Sequence, residues 1–104
     1  MALTREFRTT LHERAQRDAK FRREMLREGV ETMLAGDVAA GKAILRDYIN
    51  ASIGFRDLAA ATHIPAKSLM RMFGPSGNPR ADNLFQVIGH LQHEEGMALK
   101  FSHR

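Results

Sequence analysis

Residues 54–79 read GFRDLAAATHIPAKSLMRMFGPSGNP: a small-residue stretch, a proline break, a basic amphipathic segment and a Gly/Pro loop in succession. Phe55, Leu58 and Ala59 mark one short helix over 55–62, and Ala59, Ala60 and Ala61 leave room for another helix to cross closely. Pro65 lacks the backbone donor a helix interior needs but suits a first turn, so a second helix starts there and runs to about Phe73. In it Leu69, Met72 and Phe73 point one way, while Ala66, Lys67, Met70 and Arg71 fall on or near the other side. Two short helices sharing a tight turn, the second with a basic and lightly built outer face, are what a helix-turn-helix needs. The first helix braces, and the second enters a major groove wide enough for one helix.

On that reading Arg71 can donate a bidentate fork to guanine, Lys67 can reach guanine or phosphate, and Ala66 can touch a thymine methyl or let the helix approach. Met70 shares that base-facing side. Ser68 can serve a phosphate. The following loop should add unpaired backbone N–H groups around Ser76, Gly77 and Asn78, with Arg80 beyond Pro79, a composition suited to holding a phosphate.

Working outward, Ala81, Leu84, Phe85, Ile88 and Leu91 predict an amphipathic helix that closes the core on the C-terminal side. On the N-terminal side, Leu45, Tyr48, Ile49 and Ile53 line one face of a helix that begins after Asp37 and ends at Gly54. Earlier still, Leu3, Phe7, Leu11 and Ala15 recur every four positions behind a Thr4 cap. Asp18 offers a second N-cap, and Phe21, Met25, Leu26, Val30, Met33 and Leu34 keep helical spacing up to the Gly36-Asp37 stop. The apolar stripe Phe7, Leu11, Phe21, Met25, Val30 and Met33 must be buried against itself, against the domain or in a second chain, and it is the candidate partner-binding surface.

Charge is unevenly spread. The chain has a formal net charge of +4, and residues 55–80 hold four bases against one acid. The strongest local imbalance therefore coincides with the two-helix motif, as suits an anionic partner. The absence of cysteine excludes disulfides, thiolate metal sites and cysteine nucleophiles, and fits a cytoplasmic protein. No stretch reaches the roughly 18 uninterrupted apolar residues of a membrane span. His90, His93 and Glu94 share a helix turn but read as solvated polar positions near a helix end, so no metal site is expected. The segment GPSGNP (74–79) lacks the Lys-Ser/Thr ending of a nucleotide loop, and no cofactor is expected. The carboxylates scatter along helices as caps and pairing partners, so no enzyme is expected either.

The run LAAATHIPAKSLMRMFGPSGNPRADNLFQVIGHL (58–91) resembles the Cro/repressor-like helix-turn-helix family, with Leu58-Ala59 opening the brace helix and Ser68-Leu69-x-x-Met72 in the recognition helix. The phrases LRDYIN (45–50) and PAKSLMRMFGPSGNP (65–79) are similar to those of prophage-type regulators and addiction-module antidotes. With the helix over 37–53 included, the likeness covers about half the chain. It implies that Ala66, Lys67 and Arg71 hold base-facing positions, that the loop near Asn78 holds a phosphate contact, and that the protein is an antitoxin repressing its own operon. Two departures stand out: His63 occupies a turn position where the family often has glycine, and Met70 a position that is often polar.

The expected fold is all-α: an N-terminal helical arm over 1–35, a helix-turn-helix domain over 37–94 and a tail over 95–104 in which Met97 to Phe101 could add a short strand. The expected function is a sequence-specific DNA-binding regulator. It should act as a homodimer, because one recognition helix reads too few base pairs for useful specificity. Its expected partners are double-stranded DNA and a toxin protein, with no membrane. The alternative is a helical protein-interaction module that neutralises a partner without reading DNA.

Overall fold

The computed structural model describes residues 4–100, and all its regular structure is helical. Six helices follow one another: α1 (Arg5–Arg17), α2 (Ala19–Leu34), α3 (Val38–Ala51), α4 (Phe55–Thr62), α5 (Ala66–Met72) and α6 (Ala81–Glu95). The first three start where side-chain caps start them. The side chains of Thr4, Asp18 and Asp37 accept hydrogen bonds from the N–H groups of Phe7, Phe21 and Ala40. The Asp18 carboxyl is held below its usual range, first by the Phe21 N–H and then by the Arg14 charge, against the opposing pull of desolvation. Gly54, at φ 80, turns the chain from α3 into α4 in a conformation that side chains rarely adopt.

The core joins five helices. Leu26 of α2, Leu45, Tyr48 and Ile49 of α3, Phe55 and Leu58 of α4, Leu69 and Met72 of α5 with Phe73 beyond it, and Val87 and Leu91 of α6 form one buried cluster. Each large aliphatic side chain so buried contributes about 1.5–3 kcal/mol. The closest crossing is α2 on α3. A Cβ at Gly29 would lie 2.7 Å from Leu45 Cδ2, and one at Gly41 would lie 2.8 Å from the Gly29 carbonyl oxygen and overlap the Met33 side chain. Glycine at both positions lets the two backbones approach, and α2 thereby covers the buried face of α3.

Polar groups pin the layers together. Glu95, 6% exposed at the end of α6, accepts from Arg22 Nε at 3.0 Å and from the Tyr48 hydroxyl at 2.5 Å. Arg22 also donates to the Ala15 carbonyl at 2.6 Å, and Arg23 donates to the Glu95 carbonyl at 3.1 Å. One carboxylate thus ties α2, α3 and α6. Burial, then the bond to Glu95, pushes the Tyr48 phenol above its ordinary value and keeps it a donor.

Three expectations are corrected here. Met25, Val30 and Met33 pack against the core and Phe21 is half-buried under the Arg14 guanidinium, 4.3 Å from the ring centroid. Of the proposed partner stripe, only Phe7 is exposed, with Leu11 half-buried. Segment 19–34 is therefore a layer of the fold, because glycine at the crossing brings it onto α3. Phe85 is 64% exposed and Ala81 is exposed too, since Leu84, Val87, Ile88 and Leu91 form the inward i, i+3, i+4, i+7 row of α6. Residues 97–100 form no strand. Gly96 ends α6 in the left-handed region and the Leu99 N–H is taken by Gln92 Oε1, while Phe101 lies outside the described residues.

Candidate nucleic-acid interface

α4 and α5 pack on each other across a turn of three residues, His63 to Pro65. His63 turns the chain at φ 60, ψ 26, in the left-handed region that glycine enters without cost. Its N–H donates to the Ala59 carbonyl and closes α4. Thr62 donates its hydroxyl to the Leu58 carbonyl at 2.8 Å, and Gln86 of α6 donates to the Thr62 carbonyl at 2.9 Å. The end of α4 is thus satisfied from within and from α6.

Pro65 stands at the N-cap of α5, where its missing N–H costs nothing. Leu69 and Phe73 are fully buried and Met72 nearly so, locking the rotation of this seven-residue helix. The rotation leaves Lys67, Met70 and Arg71 exposed, Met70 at 52%, with Ala66 and Ser68 partly covered. Among the described residues, neither Lys67 nor Arg71 makes an ion pair or a side-chain hydrogen bond.

The loop after α5 folds back on it. A Cβ at Gly77 would overlap the Arg71 carbonyl oxygen, so glycine is required by space there. Two cations of α3 hold the loop. Lys42, 5% exposed, donates from Nζ to the Gly74 carbonyl at 3.1 Å and the Gly77 carbonyl at 2.6 Å, and Arg46 donates to the Phe73 carbonyl at 3.1 Å. Ser76 and Asn78 are exposed.

Ser68, Arg71, Asn78 and Arg80 line one cleft of about 390 Å³ together with His63 and Asn83. Ala66, Lys67, Met70, Ser76 and Gly77 lie outside its lining. Two loop expectations change. The Gly77 N–H is not free, since it donates to the Gly74 carbonyl at 3.1 Å. Arg80 is paired with Asp82 at 3.1 Å, an exposed pair in solvent that an incoming phosphate could exchange at small cost. The sequence reasoning passed over Lys42, Arg46, Asn83 and Gln86. Lys42 carried a usable signal, because it precedes Leu45 and Ile49 by three and seven positions and so falls on the apolar face of α3.

At the far end of α6, His90 Nε2 lies 3.3 Å from Glu94 Oε1, and no three metal-ligating side chains converge among the described residues. No helix among them is long and apolar enough to cross a membrane. No family model matches the chain, and no curated protein and no solved structure is significantly similar to it.

Proposed function

We propose that this chain is a sequence-specific DNA-binding regulator that reads the major groove with α5. The observation that carries the reading is the pair Lys67 and Arg71, exposed and unpartnered beside Met70 on a helix whose rotation is fixed by Leu69, Met72 and Phe73. A short helix held at one angle with long cationic side chains outward matches what groove reading requires. Arg71 forks onto guanine and Lys67 reaches guanine or phosphate. Ala66 allows close approach, and Met70 offers an apolar contact to a thymine methyl. Ser68, Asn78 and Arg80, gathered in the cleft beside Arg71, contact the backbone and set the register. Two copies bind as a dimer, since seven helical residues reach too few bases for a useful specificity ratio.

The resemblance of residues 45–50 and 65–79 to addiction-module antidotes adds the proposal that the regulator acts on its own operon as the antitoxin of a toxin. The experiment that tests DNA binding is a salt titration of the full chain on random-sequence duplex. Phosphate contacts make log K fall linearly with log salt, by about 0.9 per phosphate neutralised. A steep fall supports the reading; no binding, or binding indifferent to salt, favours a protein-interaction module instead.

A further inference from the structure

Lys42 is a buried cation that the proposed reading of bases does not use. It is 5% exposed, and its partners are the carbonyls of Gly74 and Gly77. No carboxylate among the described residues pairs with it. Burying an ammonium is costly, and two carbonyl acceptors offset that cost only while the loop stays in place. The loop and the lysine therefore hold each other.

The consequence follows from peptide geometry. The C=O of one residue and the N–H of the next share a planar trans unit and point in opposite directions. Lys42 Nζ holds the Gly77 carbonyl inward at 2.6 Å, so the N–H of Asn78 in the same unit points away from Lys42. That N–H makes no hydrogen bond among the described residues, and Asn78 itself is exposed in the cleft with Ser68, Arg71 and Arg80. Gly77 locks the arrangement from the other side, since its Cα lies against the Arg71 carbonyl with no room for a Cβ. Arg46, one turn along α3, adds a second tether by donating to the Phe73 carbonyl at the end of α5.

We infer that Lys42 is a positioning residue for a backbone phosphate: it fixes the Gly77–Asn78 peptide so that the Asn78 N–H donates outward to a nucleic-acid phosphate beside the base-reading Arg71. The inference rests on the DNA-binding reading and adds a specific contact to it. Lys42 touches neither base nor phosphate. It acts through the loop, and its charge lies behind a carbonyl that would otherwise be free to turn toward the anion.

The test uses the full chain and a duplex selected by it from a random pool. Ethylation interference maps which phosphates the wild-type chain needs, and the same map is taken for Lys42→Met, which keeps the length of the side chain and removes its donor. The expected result is that Lys42→Met binds about tenfold more weakly, the loss of a charge-assisted hydrogen-bond arrangement. It should lose interference at one phosphate while the remaining phosphates and the guanine contacts persist. A uniform weakening with all positions retained would assign Lys42 to fold stability alone and overturn the inference. Amide spectra of the wild-type chain decide the matter even where Lys42→Met does not fold. On addition of the selected duplex the Asn78 amide proton should shift downfield, and an unmoved Asn78 amide in a complex that does form overturns the inference. A wild-type chain that selects no duplex would instead refute the DNA-binding reading, and this inference with it.

Discussion

α2 and α5 are both amphipathic helices rich in basic residues, and the fold puts their arginines to opposite uses. On α2 every arginine has a partner: Arg22 holds the Glu95 carboxylate, Arg23 the Glu95 carbonyl, and Arg27 stands between Glu24 and Glu31 at 3.9 Å from each. On α5 Lys67 and Arg71 have none among the described residues. Charge content does not separate the two helices; the pairing of their arginines does, while Lys20 of α2 is exposed and unpaired among the described residues. A cation engaged by a carboxylate or carbonyl of its own chain is part of the fold, whereas one left outward on a rotationally fixed helix is free for an external anion. Among the apolar residues, Met25, Val30 and Met33 of α2 turn inward, while Leu34 at its end stays out, as Met70 of α5 does.

Removing the first of these regions should have the largest effect. Deleting residues 1–35 uncovers Leu45, Tyr48 and Ile49, removes Leu26 from the core and leaves Glu95 without Arg22. A single buried leucine is worth about 1.5–3 kcal/mol, and the loss of a whole layer approaches the 5–15 kcal/mol typical of a domain. The truncated chain is expected to lose its cooperative thermal transition and most helical circular dichroism. A truncated chain that melts cooperatively would make α1 and α2 a detachable arm after all.

Next in size is Glu95→Ala, which strands Arg22 and leaves the buried Tyr48 hydroxyl without its acceptor. The expected cost is about 3 kcal/mol, read as a lower denaturant midpoint. Because α5 is untouched, DNA affinity under folding conditions should not change, and a parallel loss of both would mean that the two regions are not independent.

His63→Gly works in the other direction. A non-glycine residue at φ 60 costs about 1–2 kcal/mol, partly offset by the greater freedom glycine has in the unfolded chain. Urea unfolding should show a gain of about 0.5 kcal/mol. A clear loss would show that the His63 side chain contributes something that its exposed position does not reveal.

The smallest effect concerns Asp47 of α3, whose carboxyl is raised above its ordinary value by desolvation, against the pull of Arg46 and Arg8. A raised folded-state value means that folding disfavours the ionised form. The penalty is complete above the raised value and absent below the ordinary carboxylate range, where both states are protonated. Asp47→Asn should therefore raise stability slightly at neutral pH and leave it unchanged in acid. A gain that persists in acid would point to packing instead of charge.

Much of this architecture was legible in the residues. The caps at Thr4, Asp18 and Asp37, the glycine stops and the proline before α5 are local devices, and each helix lies close to where they put it. The division of α5 into a buried Leu69-Met72-Phe73 side and an outward Lys67-Met70-Arg71 side was also legible, because helical period fixes it. What was not legible depends on which faces meet. Periodicity gave α2 an apolar stripe but could not say that Gly29 and Gly41 would dock it on α3. Periodicity placed Phe85 on the inward face of α6, and the packing of α6 against α4 and α2 turns Val87 inward instead. The tail strand failed because Gln92 supplies the Leu99 N–H with an acceptor that needs no ladder. In the loop, the Gly77 N–H is consumed by a turn and the Gly77 carbonyl by a lysine 35 residues away, and composition carries neither fact.

The most direct measurement is the affinity of the full chain and of Arg71→Ala for a duplex selected by the wild-type chain and for an unrelated duplex, at fixed salt. If Arg71 reads a base, the selected duplex should lose about 1–3 kcal/mol of binding free energy and one base preference should relax, while the unrelated duplex loses far less. Equal losses on both duplexes, or no preference between them for the wild-type chain, would contradict base reading by α5.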